Sequence, residues 1–100
     1  MPDFVLSYRA PTDYVPGKPD QMAAWHKWFQ VIGADLKDFG RPVTRSGRVG
    51  GGQGETSLNG YSIISAQDFE AASAIASACP MVAAGGAVEL GQLGDVAGRP

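Results

Sequence analysis

Polar and apolar residues alternate from the start of the chain. In "DFVLSYR" (3–9), Phe4, Leu6 and Tyr8 fall on one side, and Asp3, Val5, Ser7 and Arg9 on the other. A period of two predicts a half-buried strand. "APTDYVPGKPD" follows, dense in Pro, Gly and Asp, and reads as a loop. The period then changes. Met22, Trp25, Phe29, Ile32 and Leu36 recur at spacings of three and four, which predicts one apolar helical face from Pro19 to about Leu36. Pro19 suits a first helical position, and Asp20 puts negative charge near the positive end of the helix. "KDFGRP" ends the helix through Gly40 and Pro42.

A second strand is predicted at about 42–49, "PVTRSGRV", followed by a mobile glycine-rich loop, "GGGQGETS". "LNGYSIIS" (58–65) is rich in β-formers and predicts a third strand. Ser65, with Asp68 three residues on, resembles a helix N-cap with an acidic third position. The helix that follows carries Phe69, Ala72, Ile75 and Ala76 on one side and is ended by Pro80. A last strand falls at about 87–93. The order is βαββαβ, an α+β fold of ferredoxin-like type. There is no internal repeat, so residues 1–100 read as one domain with a core of about 3–93 and a frayed tail at 94–100. Both helices lie on one face of such a sheet. The other face, where Val5 and Ile64 are expected, is too apolar to stay solvated, which predicts a homodimer.

Composition narrows the function classes. The 100 residues are 44% hydrophobic and 18% charged, as in an ordinary folded globule. A net charge of −2 supplies no positive field to displace phosphate counterions, so a nucleic-acid partner is not expected. No apolar run approaches the roughly 18 residues of a membrane span, so no membrane partner is expected either. "MPDFVLSY" lacks a basic n-region, so no secretory signal is expected. The single cysteine, Cys79, cannot form an intrachain disulfide; together these features predict a cytoplasmic protein.

Candidate chemistry is sparse. "GRVGGGQGE" is not a phosphate loop, because Glu55 follows the last glycine and a strand rather than a helix comes next. One His and one Cys far apart do not make a zinc site, and no motif calls for a cofactor. Cys79 lies where a helix is expected to end, a position whose dipole disfavours a thiolate, and reads as a buried, inert thiol. His26 lies at the edge of the apolar face of the first helix. That place suits a half-exposed residue as well as a base at a cavity rim. Lys37, Arg41, Arg45 and Arg48 form a basic cluster that could hold a carboxylate or could simply be a solvated face balanced by Asp35 and Asp38.

The strand "FVLSY", the helix "AAWHKWFQVIGADLKDFGRPV" and the stretch "LNGYSIISAQDFEAASAIASACPMVAAGGAVELGQL" together resemble the YCII-related family, in particular its DGPF branch, over about residues 3–93. The resemblance implies homodimers in which two sheets form a dimeric α+β barrel, with a cleft near the first helix and the sheet edges. Its enzymatic members are associated with a histidine on the first helix and an aspartate before a proline. Counted back from Gly33, the matching histidine position falls near Met22, and the aspartate position is occupied by Cys79 before Pro80. His26 could therefore act as a catalytic base only by an arrangement of its own. The expected cleft is lined by Tyr8, Trp25, Phe29, Arg45 and Tyr61 as ligand-binding residues, with His26 at its edge. Two functions follow: a domain that binds, and could transform, a small molecule, or a non-enzymatic dimeric interaction module.

Overall fold

The computed structural model describes residues 1–52 and 54–95; the tail expected at 96–100 lies outside the described residues. Strand β1 (Asp3–Pro11) buries Phe4, Leu6, Tyr8 and Ala10 in strict alternation, as its period predicts. Helix α1 (Pro19–Ile32) begins with proline in its first turn and stops four residues short of Leu36. The stop is Gly33, whose φ of 60° favours glycine and whose amide donates to the Phe29 carbonyl. A 3-10 turn (Gly33–Asp35) then leads into strand β2 (Leu36–Asp38). Leu36 thus packs opposite Ile64 as a strand residue rather than extending the helical stripe.

The second strand lies earlier than the sequence predicts. It is Leu36–Asp38, and within 42–49 only Pro42 makes an isolated bridge, to Gly60. The reason is physical. Pro42 has no amide to donate, and Val49, the apolar residue at the far end of the predicted strand, is fully exposed with nothing to pack against. Strand β3 (Thr56–Ser65) follows an irregular connection. Helix α2 (Phe69–Ser77) is capped by Asp68 itself, whose carboxylate accepts from the Ala71 amide at 2.8 Å. Ser65 is no cap; it closes β3 and donates to Asp3 Oδ1 at 2.6 Å. Pro80 opens a short helix α3 (Pro80–Ala83), and β4 (Ala87–Gln92) completes the sheet.

The strands pair antiparallel in the order β2–β3–β1–β4, a ferredoxin-like α+β sheet. Phe4, Leu6 and Tyr8 of β1, Ile64 of β3, and Val88 and Leu90 of β4 share the face covered by the helices. Ile64 therefore belongs to the core, not to the open face. It is Ile63, paired with Val5, that lies half-buried on the open side. On α1 the buried ring is Trp28, only 6% exposed, whose indole N–H donates to the Ile75 carbonyl of α2 at 3.1 Å. Met22, the first residue of the predicted stripe, is exposed. Among the described residues no helix is long and apolar enough to cross a membrane.

Cys79 is buried between α2 and α3, and burial pushes its thiol from the ordinary 9 up to about 12. Burial also raises the Tyr8 phenol well above its usual range. Both groups fold in their neutral forms, so the stability they contribute is complete below the unfolded-state values. It is lost as pH rises from about 9 through their folded values. Urea midpoints are expected to stay flat from pH 7 to 8.5 and to fall steeply above pH 9.5, with Cys79 unreactive toward a thiol reagent until the protein unfolds. A midpoint that rises above pH 9.5 contradicts this.

Candidate functional site

A cleft of about 240 Å3 opens between α1 and the β2–β3 edge of the sheet. Its apolar wall follows from the period of α1, which turns Trp25 and Phe29 toward β1. Tyr8 meets Trp25 edge-on with ring centroids 4.8 Å apart and an interplanar angle of 83°. Phe29 lies 4.6 Å from Phe39, which brings the segment after β2 into the same wall. Such aromatic pairs hold each other's orientation beyond simple burial.

Two glycines let the chain close around this space. Gly40, with φ of 77°, lies directly against the backbone carbonyl of Tyr61, and its amide donates to Asp38 Oδ1 at 2.8 Å. Gly60 lies beneath Pro42 and the Tyr8 ring. No side chain fits at Gly40, so the segment from Phe39 to Pro42 can press onto β3 and form the second wall.

At the base of the cleft the Tyr8 hydroxyl donates to Ser62 Oγ at 2.8 Å, and Ser62 donates in turn to the Phe39 carbonyl at 2.7 Å. Ser62 is fully buried on the core face of β3, between Gly60 and Ile64. Gln21, Arg41 and Asn59 add polar groups to the lining. Among the described residues no carboxylate lines the cleft, and no cluster of three metal-ligating side chains occurs.

Of the residues singled out in the sequence, Tyr8, Trp25, His26 and Phe29 line this one cleft. His26 is exposed at the mouth, and its side chain makes no hydrogen bond among the described residues. Tyr61 also borders the space. It pairs with Ser7 on the sheet face away from the helices, and its backbone carbonyl packs against Gly40. Arg45 is exposed and does not line the cleft; Arg41, four residues earlier, does. Ser62, Phe39 and Gln21 line the cleft without a signal in the sequence that singles them out. Ser62 shares the inward face of β3 with Ile64, and the expectation of Ile64 on the open face hides it. Phe39 carried no signal, because only the tight turn at Gly40 folds it back onto Phe29.

No known family model matches the chain, and no curated protein matches it. Among solved structures, the fold is shared with 5-chloro-2-hydroxyhydroquinone dehydrochlorinase from Burkholderia phenoliruptrix, in complex with 2,5-dihydroxybenzoquinone. The two align with a TM-score of 0.66 over 92% of this chain and 93% of that one, at 16% sequence identity. At that identity the relation is one of fold.

Proposed function

We propose that this protein is a YCII-related domain that binds a small, single-ring molecule in the cleft between α1 and the sheet. One observation carries the reading: an aromatic-walled space of about 240 Å3 with a few polar groups at its base and mouth. The volume lies below the range of pockets for drug-sized ligands, and a cavity of about 150 Å3 already accepts benzene. A substituted benzenoid ring is therefore the right size, and Trp25 and Phe29 offer it flat surfaces. Among the described residues the lining holds no carboxylate but does hold Arg41, which favours a neutral or anionic ligand over a cation. The shared fold supports the same class, since the neighbouring dehydrochlorinase was captured with a dihydroxybenzoquinone.

His26, exposed at the mouth, is the group we propose for any proton exchange with such a ligand. Among the described residues no side chain orients it, so binding carries the proposal and catalysis is its extension. Isothermal titration with 2,5-dihydroxybenzoquinone and with hydroquinone tests it. A Kd of about 1 mM or tighter is expected for at least one of them, within the limits that so few atoms set. The His26→Gln variant should keep its stability within about 1 kcal/mol, as for an exposed residue, and bind several-fold more weakly. An unfolded variant would make His26 structural, and unchanged affinity would remove it from the site.

The alternative, a non-enzymatic dimeric module, is favoured by the open sheet face. Val5 and Ile63 lie paired at its centre, with Tyr61 beside them partly exposed. Covering that face in a homodimer would bury on the order of 1,200–2,000 Å2 in total. The dimer is proposed under either function, in a cytoplasmic setting consistent with the lone buried thiol of Cys79. Light scattering at micromolar concentration should give twice the chain mass, and a monomer would contradict it.

A further inference from the structure

The three-atom chain at the base of the cleft has only one possible polarity. The Phe39 carbonyl carries no proton, so its 2.7 Å contact with Ser62 must use the single proton of the Ser62 hydroxyl. Ser62 Oγ is then left as an acceptor, and the 2.8 Å contact with Tyr8 must use the phenolic proton. Both protons are committed away from the ligand space. The Tyr8 oxygen retains lone pairs and no proton to offer, and no other hydrogen bond among the described residues reaches it.

Resting on the cleft reading above, we infer that Tyr8 and Ser62 set the specificity of the site. They present an acceptor that selects a ring bearing a hydroxyl or amino donor and rejects its ether or other donor-free counterpart. A second observation points the same way. Gln21, which lines this cleft and also the groove between α1 and α3, has a buried amide oxygen with no hydrogen-bond partner among the described residues. Both oxygens thus retain acceptor capacity that the described residues do not use, and a ligand that brings a donor would satisfy the one it reaches. A buried acceptor left unmet when a ligand excludes water is penalised, and that penalty is the source of the discrimination. Burial keeps the phenol protonated across the neutral range, so the polarity does not reverse with modest pH changes.

The test compares hydroquinone with 1,4-dimethoxybenzene, the same ring without donors, by titration of the wild-type protein and two variants. The wild type should prefer hydroquinone by about tenfold or more, the scale of one unmet buried acceptor. In Ser62→Ala the Tyr8 proton loses its acceptor and can turn to an ether oxygen, so the ratio should shrink to about twofold or reverse. In Tyr8→Phe the acceptor itself is gone, and the ratio should shrink likewise even if Ser62→Ala fails to fold. Equal binding of the two rings by the wild type overturns this inference and leaves the cleft reading intact. A preference that survives unchanged in a folded variant overturns it too. Binding of neither ring overturns the cleft reading, and the inference with it.

Discussion

Trp28→Ala is expected to lower stability by about 3–5 kcal/mol, the cost of deleting a large buried ring and leaving a cavity behind. Trp28 sits where α1 meets α2, 6% exposed, in edge-on contact with Trp25 at 5.7 Å and Tyr8 at 6.1 Å. At this chain length each kcal/mol corresponds to about 4–8 °C, so the melting temperature should fall by well over 10 °C. Trp28→Phe separates bulk from hydrogen bonding. The Ile75 carbonyl still accepts from the Ala78 amide at 3.2 Å, so losing the indole N–H should cost only about 0.5–1.5 kcal/mol beyond the smaller ring. Trp25→Ala, at a half-buried position, should destabilise less and damage the cleft more. Thermal melts of the three variants check the order, and a Trp28→Ala protein that melts within a few degrees of wild type contradicts it.

Gly40→Ala is expected to be nearly as severe, by a different route. A methyl group there would overlap the Tyr61 carbonyl, a backbone atom held in β3 by its pairing with β1, and the φ of 77° is itself unfavourable for alanine. The segment must lift from β3, breaking the Gly40–Asp38 bond and moving Phe39 off Phe29. A loss of about 3 kcal/mol or more is expected, together with loss of ring binding. Gly33→Ala is the control. It also has positive φ, at 60°, but open space around it, so it should cost only about 1–2 kcal/mol. If the two variants melt alike, the close approach of Gly40 to Tyr61 does not shape the cleft.

The elements that the sequence predicts well are those whose period meets a real core. The alternation of Phe4, Leu6 and Tyr8 survives because β1 lies centrally, paired on both sides. The β2 assignment fails because "LKD" is too short to show a period. Leu36 lies as well on the stripe of α1 as on a strand, and only the positive φ of Gly33 decides between them. On α1, Trp25, Phe29 and Ile32 fit the stripe either with Met22 or with Trp28. The buried choice, Trp28, depends on the Ile75 carbonyl of α2, which no local pattern reveals. The candidate site was legible where it rests on α1 and β1. It was not legible where it rests on the turn at Phe39 and Gly40, since that wall exists only through a long-range backbone contact.

The central claim, that the cleft beside Trp25 receives a single hydroxylated ring, is tested most directly by the two indole N–H resonances. Trp25 lines the cleft, whereas the Trp28 N–H is tied to Ile75 away from it. Titrating isotope-labelled protein with hydroquinone should move the Trp25 indole resonance in a saturable way and leave that of Trp28 nearly fixed. No saturable shift at Trp25, or shifts centred on residues away from the cleft, would contradict the account.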